Sequence, residues 1–245
     1  MASSRLDMAL VERGLAPTRA RARDAILRGH VTVGGLPAVK PAQNVPEGAE
    51  IAISDPAGAY VSRGALKLIA GLDRFGFSAS ARTALDIGAS TGGFTQVLLE
   101  RRARKVFAVD VGYGQLDPAL AADPRVVSRE GLNARDLVAS DIGEEVDAIV
   151  ADVSFISLRL VLPPALKLAA PGAWGVFLVK PQFEAGREAI GKGGIVRDEA
   201  LTARIAAELA LWLETDMGWR PTGVIASPIE GGDGNREYLI GAERG

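Results

Sequence analysis

The chain has 245 residues, 48% hydrophobic and 24% charged, with mean hydropathy +0.16 and formal net charge −2. That is the profile of a globular protein with a sizeable core, and disorder is excluded as its main character. With no Cys and a single His (His30), disulfide frameworks, cysteine zinc sites, iron–sulfur clusters and thiol nucleophiles are excluded. One imidazole is also a poor basis for a Ser-His-Asp relay or a multi-histidine metal site, so no metal is expected.

Residues 1 to 14 carry Arg5, Asp7, Glu12 and Arg13 and no apolar stretch of the signal-peptide kind, so a cytoplasmic protein is expected. The net charge hides an asymmetry. Residues 1 to 30 hold six Arg against three acids, a local charge of +3, while the remainder sums to −5. An apolar-periodic helix is predicted from Leu6 to Arg13, then a Pro17-Thr18 break. An Arg-rich helix follows, opened by Thr18 as N-cap and stopped at Gly29, carrying Arg19, Arg21, Arg23 and Arg28. Short strands are predicted over His30 to Pro37 and Glu50 to Ile53. A bare charge run of this kind also fits a solvated helix face, but this order of elements resembles the RNA-binding domain first known from ribosomal protein S4. The resemblance implies that the helix pair and its adjoining loop grip RNA through phosphates. Arg5, Arg19, Arg21, Arg23 and Arg28, with Arg63 further along, are the candidate RNA contacts. Ser54 to Tyr60 is turn-rich, which predicts domains at 1–59 and 60–245 with a linker near 54–62.

From Thr83 onward short apolar runs alternate with helical stretches. Strands are predicted at Ala84–Ile87, Lys105–Asp110, Arg125–Val127, Val146–Asp152, Gly175–Val179, Pro221–Ile225 and Glu237–Ile240. This predicts an α/β class domain, a doubly wound, mostly parallel sheet with helices on both faces. The apolar stretch Leu160 to Val179 carries three prolines and two glycines and reads as helix, turn and buried strand rather than a membrane span.

Asp86-Ile-Gly-Ala-Ser-Thr-Gly-Gly-Phe94 joins the first of these strands to a helix. Gly88, Gly92 and Gly93 let backbone approach a ligand at the carboxyl edge of the sheet. Gly88-Ala-Ser90-Thr-Gly92 also satisfies the nucleophile-elbow pattern, but no His follows it; a dinucleotide fingerprint would need glycine where Ser90 stands. The remaining reading is an S-adenosyl-L-methionine site lined by Asp86, Gly88, Ser90, Gly92, Gly93 and Phe94. Asp110, closing the second strand, can accept both ribose hydroxyls; Asn133, after the third, can read the adenine edge; Asp152 ends the fourth beside the methyl donor.

Lys180 ends a predicted buried strand, where an unpaired ammonium is costly, so acidic neighbours are expected. Asp152 and Glu237 are available, and Lys67 lies near the start of the Ser62-Arg-Gly-Ala-Leu-Lys helix. Methyl transfer from a sulfonium to a ribose hydroxyl is an in-line displacement in which the attacking oxygen loses a proton. An ordinary lysine is protonated near neutral pH, so a lysine base needs help from its surroundings, such as a second ammonium nearby. The expectation is that Lys180 is the base, Lys67 orients the ribose and presses on its neighbour's charge, and Asp152 and Glu237 position the ammoniums.

Ser62-Arg-Gly, Asp86-Ile-Gly-Ala-Ser-Thr-Gly-Gly-Phe-Thr, Val109-Asp-Val-Gly-Tyr-Gly-Gln-Leu, Asp152-Val-Ser-Phe-Ile-Ser-Leu, Lys180-Pro-Gln-Phe-Glu-Ala-Gly and Gly191-Lys-Gly-Gly-Ile-Val-Arg-Asp together resemble the TlyA family over nearly the whole chain. The resemblance implies an S-adenosylmethionine-dependent methyltransferase acting on a cytidine ribose 2′-OH in ribosomal RNA, with ribosomal subunits as partners and no obligate protein partner. Its catalytic domain is similar to the FtsJ/RrmJ group, whose Lys-Asp-Lys-Glu tetrad falls on Lys67, Asp152, Lys180 and Glu237. The family's hemolysin label suggests a membrane-active alternative, which wants an amphipathic stretch this chain lacks. A non-catalytic assembly factor is the other alternative, and the intact tetrad speaks against it. Tyr60 stands where family members often have Trp. The chain ends at Gly245, five residues beyond the last predicted strand, which favours a large-subunit target.

Overall fold

The computed structural model describes residues 3–191 and 193–245. The chain forms two compact units, Met1–Ala59 and Tyr60–Gly245.

The first unit runs β1 (Ser3–Arg5), α1 (Leu6–Glu12), α2 (Arg19–Leu27), β2 (Val31–Val33), β3 (Leu36–Pro37), β4 (Asn44–Pro46) and β5 (Ile51–Ile53). Thr18 Oγ1 accepts the Arg21 amide at 3.2 Å and so caps α2. Leu6, Leu10, Ala22, Ile26, Val31 and Val45 close the core between the helix pair and the strands. The stretch expected as one strand from His30 to Pro37 is instead a hairpin. Gly34 and Gly35 both take left-handed φ values, +58° and +76°, the geometry of a tight two-residue turn between β2 and β3. β5 pairs with β2 on the other side, and β1 pairs antiparallel with β4.

The second unit runs α3 (Ala65–Phe75), β6 (Thr83–Ile87), α4 (Gly93–Glu100), β7 (Lys105–Asp110), α5 (Pro118–Ala121), β8 (Val126–Glu130), α6 (Ala139–Ile142), β9 (Val146–Ala151), α7 (Leu158–Leu166), β10 (Ala169–Val179), α8 (Pro181–Glu184), α9 (Glu199–Thr215), β11 (Trp219–Ala226) and β12 (Tyr238–Arg244). Its sheet has the order β11-β12-β10-β9-β6-β7-β8, with β12 antiparallel to both neighbours and β10, β9, β6, β7 and β8 mutually parallel. The strand period of two divides the apolar residues between two cores. Leu85, Ile87, Ile149, Phe177 and Ile240 face α7 and α9, whereas Ala84, Val150, Val176, Leu178 and Leu239 face α3 and α4. On the latter side the backbone of α3 comes so close to β10 that a Cβ on Gly71 would lie 2.8 Å from Val176 Cγ1.

Several boundaries differ from expectation. β10 begins at Ala169 and absorbs Pro171-Gly172 as an irregularity in its pairing with β9, where these residues read in sequence as a turn. α7 keeps Pro163 and Pro164 inside it, because Leu158, Val161, Leu162, Ala165 and Leu166 are buried and hold the helix in place. β12 continues to Arg244, so the last strand nearly reaches the end of the sequence. The chain goes outward from β6 through β7 to β8, then returns to lay β9 on the other flank of β6. That reversal leaves a crevice beyond the carboxyl ends of β6 and β9, the position at which open α/β sheets bind ligands.

Candidate active site

The crevice is built by close backbone approach. The Asp152 amide donates to Ile87 O at 3.0 Å, carrying the β6–β9 register one residue past the strands. Gly88 turns there with φ +79°, and a Cβ on it would lie 2.4 Å from Asp152 O, so only glycine fits. On the other side Val61 donates its amide to Gln96 Oε1 at 2.9 Å, drawing the segment before α3 onto α4.

Two cavities open at this edge. One, of about 420 Å³, is lined by Gly88, Ser90, Asp110, Asn133 and Asp152, with Val109, Leu132 and Ile156 among its apolar walls. The other, of about 260 Å³, is lined by Lys67, Asp152, Lys180 and Glu237, and also by Arg63, Gly93 and Phe94. Gly88, Ser90, Asp152 and Ser154 line both.

In the larger cavity Asp110 accepts the Ser90 amide at 2.8 Å on Oδ2 and the Gly112 amide at 2.7 Å on Oδ1. Each carboxylate oxygen keeps a second lone-pair site, which suits a vicinal diol. Asn133 Oδ1 accepts the Arg135 amide at 3.1 Å. Glu130 accepts the amides of Gly114 and Gln115 at 2.8 and 2.9 Å, and that of Leu116 more distantly, fixing the loop that carries Gln115 into the cavity wall. These bonds hold the Glu130 carboxyl below the usual range, in the order Gly114, Gln115, Leu116.

In the smaller cavity Lys67 donates to Glu237 Oε2; both side chains are almost fully buried, at 7% and 2% exposure. Lys67 sits one turn into α3, and Glu237 is presented by the loop before β12. Asn235 braces that loop, accepting the Val196 amide at 3.0 Å and donating to Gly194 O at 3.0 Å. Lys180, immediately after β10, places Nζ 2.7 Å from Asp152 Oδ1 and donates to Ser154 Oγ at 2.8 Å. The contact to Asp152 is ionic without good hydrogen-bond direction, which leaves Asp152 Oδ1 buried with no directed donor. Each ammonium thus has its own carboxylate, Lys67 with Glu237 and Lys180 with Asp152.

Two of the residues expected at the cofactor, Gly92 and Asp86, stand outside both cavity linings. Gly92 caps α4 with φ +98° against Leu116 and Leu120. Asp86 is fully buried on the α4 side of β6; its Oδ2 accepts from Thr95 Oγ1 at 2.7 Å, and Oδ1 has no hydrogen-bond partner among the described residues. Burial raises the Asp86 carboxyl to about 7, helped by repulsion from Asp152 and opposed by the Thr95 hydrogen bond. Neither residue is among those lining either cavity.

The candidate RNA residues of the first unit divide by what already holds them. Arg5 makes a two-pronged contact with Asp7 at 3.0 and 3.1 Å, and Arg19 Nε reaches the same carboxylate at 2.9 Å. Arg21 donates to Ala57 O. Arg28, expected to meet phosphate, is only 15% exposed and is clamped by Asp24 at 2.9 Å and Asp55 at 2.6 Å, so its guanidinium is spent inside the fold. Arg23 is exposed and pairs with no carboxylate among the described residues.

A glycine-bearing crevice at the switch point, an aspartate with free acceptor sites on both oxygens and a cluster of two lysines and two carboxylates, buried at Lys67 and Glu237 and half-buried at Lys180 and Asp152, form a site suited to group transfer. The FtsJ-like methyltransferase family model matches residues 60–244, and the S4 domain model matches residues 4–51. The chain belongs to the FtsJ-like methyltransferase family. Within it the chain is of the TlyA kind: it is 49% identical over 238 residues to the Mycobacterium tuberculosis 16S/23S rRNA (cytidine-2′-O)-methyltransferase TlyA, covering 97% of this chain and 88% of that one. It is 41% identical to hemolysin A of Brachyspira hyodysenteriae, with coverage of 96% and 98%. A solved Streptococcus thermophilus structure described as a hemolysin superposes with a TM-score of 0.77 at 40% identity, covering 100% of this chain and 89% of that one. No helix among the described residues of this TlyA-type chain is long and apolar enough to cross a membrane. Ser154, which touches Lys180 and lines both cavities, was not singled out in the sequence; a serine two residues past a strand reads there as an ordinary turn residue.

Proposed function

We propose that the chain transfers a methyl group from S-adenosyl-L-methionine to the ribose 2′-OH of a cytidine in ribosomal RNA. The observation that carries this reading is that Lys67, Asp152, Lys180 and Glu237 line one cavity, which shares Asp152 and Gly88 with a larger cavity suited to a nucleoside. The residues of the larger cavity fit S-adenosylmethionine. Asp110 has acceptor capacity for a ribose diol, and the walls beside Asn133 are apolar. When bound, that cofactor supplies an electrophilic methyl group on a sulfonium.

The protein's own residues do the rest. Lys180 takes the proton from the attacking 2′-oxygen and later releases it to solvent. Asp152 holds the Lys180 ammonium and adds negative charge near the sulfonium. Lys67, fixed by Glu237, donates hydrogen bonds to the ribose and stabilises the oxygen as negative charge develops on it. The first unit supplies RNA affinity through its exposed arginines, Arg19 and Arg23 foremost. The name of the M. tuberculosis relative covers both ribosomal subunits, so the assay offers both.

Isolated small and large subunits are incubated with methyl-labelled S-adenosylmethionine and either the wild-type protein or Lys180→Ala. The expected result is alkali-resistant label at a 2′-oxygen on one or both subunits, lost with Lys180→Ala while cofactor binding persists. Wild-type turnover by a folded Lys180→Ala protein would remove Lys180 as the base.

A further inference from the structure

The segments that follow β9 and β10 are fastened together at several points. Glu184, after Lys180, accepts the Ser157 hydroxyl at 2.6 Å and the Leu158 amide at 2.7 Å. The rings of Phe155 and Phe183 meet with centroids 5.0 Å apart. Phe155 is held at φ +64°, a left-handed conformation that a non-glycine residue keeps only when its surroundings impose it. Within this paired structure Ser154 Oγ accepts from Lys180 Nζ at 2.8 Å, and Asp152 Oδ1 lies 2.7 Å from the same nitrogen.

We propose that Ser154 is a positioning residue that sets the direction of the Lys180 lone pair. The inference rests on the reading of Lys180 as the base. A lysine acting as a base is a neutral amine with two N–H bonds and one lone pair. Asp152 and Ser154 provide two acceptors on the protein side. Ser154 already takes one N–H; once the ammonium has lost its proton, the other N–H turns toward Asp152 Oδ1, 2.7 Å away, and the lone pair is the one valence left for the substrate in the cavity that Lys180 lines. Without the Ser154 hydroxyl the amine is held at one point, rotates about its terminal C–N bond, and presents an N–H to the 2′-oxygen for much of the time. The proton still passes from the ribose oxygen to the Lys180 nitrogen, so the reaction is unchanged and only the fraction of productive encounters falls.

Ser154 is exposed, so its replacement does not threaten the core. The test compares methylation of ribosomal subunits by wild type, Ser154→Ala, Ser154→Thr and Lys180→Ala. Ser154→Ala is expected to lower kcat by about 10- to 100-fold, with KM for S-adenosylmethionine and for RNA within about twofold of wild type. Ser154→Thr, which keeps the hydroxyl, restores most of the rate. The Ser154→Ala deficit is expected to be the same at about pH 7 and about pH 9, because it lies in orientation and not in proton affinity. An unchanged kcat, a deficit confined to KM, a deficit that closes at high pH, or failure of threonine to rescue would each overturn the proposal. An active Lys180→Ala protein would instead show that the assignment of the base is wrong; an inactive one beside a fully active Ser154→Ala would sink this inference alone.

Discussion

Each unit buries an aspartate completely, and the two are treated in opposite ways. Asp7, in the first unit, receives Arg5 and Arg19, whose hydrogen bonds, Arg5 first, outweigh the cost of burial and hold its carboxyl at about 2. Asp86, in the second, receives the hydroxyl and backbone amide of Thr95 and, among the described residues, no cation, so burial raises it to about 7. A closed ion pair is what a fold does with a charge it needs only for structure. An aspartate left partly unsatisfied under the glycine loop, close to another aspartate with a buried undirected oxygen, is the kind of perturbed group that gathers at functional sites.

Lys67 and Glu237 break this division most sharply, since they are a closed pair within the candidate site. If the pair serves chemistry, its removal should harm activity whether or not the fold survives. Glu237→Ala leaves the Lys67 ammonium buried without a partner and is expected to cost about 3–5 kcal/mol of stability, measured by urea denaturation. The double variant Lys67→Met with Glu237→Leu should recover most of that stability, because an apolar pair carries no desolvation penalty, and should remain inactive in methyl transfer. A stable and active double variant would make the pair a structural strut like Asp7 and its arginines.

The pH dependence of stability sharpens the contrast further, because the two aspartates act with opposite sign. Asp86 has a folded pKa above its unfolded value, so the folded state binds the extra proton between about pH 4 and about pH 7. Its contribution is fully present below about pH 4 and is lost as the pH rises through about 7. Asp86→Asn keeps an acceptor for Thr95 and never ionises. Relative to the wild type it should gain on the order of a few kcal/mol between about pH 4 and pH 8, and remain level above that. All three tryptophans, Trp174, Trp212 and Trp219, lie in the second unit, so their fluorescence reports this transition. Asp7 has a lowered pKa, so its contribution is present above about pH 4 and is lost as the pH falls through about 2. Hydrogen exchange at amides of α1 and α2 should show that loss in acid, and Asp7→Asn should abolish the dependence.

How legible each region was in the sequence follows from where its information lies. The central strands of the second unit are almost continuously buried, so Ala84–Ile87, Lys105–Asp110 and Val146–Ala151 stand out as apolar runs. The tetrad was legible because each member stands at a strand end or in an extended motif. β1 and β4 were not legible: each has three residues, one mostly polar and the other ending in Pro46, and neither shows alternation long enough to read. The division between Arg28 and Arg23 was also hidden. It depends on Asp55 reaching Arg28 from 27 residues away in sequence, and a helical arginine run does not reveal which of its members the tertiary structure consumes.

That division yields the smallest expected effects and the cleanest separation between them. Arg28→Ala removes a guanidinium that two carboxylates hold, so it should lower the stability of the first unit by about 1 kcal/mol, seen as faster hydrogen exchange in α2. Its effect on RNA affinity at fixed folded fraction should be negligible. Arg23→Ala removes an exposed charge that has no carboxylate partner among the described residues and should leave stability unchanged. If Arg23 meets a phosphate, the variant should bind ribosomal RNA several-fold more weakly, with the slope of log affinity against log salt reduced by about 1. Cofactor affinity should be the same in both variants, since the residues lining the larger cavity all come from the second unit. Were Arg28→Ala to reduce the salt slope and Arg23→Ala to leave it unchanged, the clamped arginine would be the one released to the RNA. The ion pairs of the first unit would then be a resting arrangement rather than a structural one.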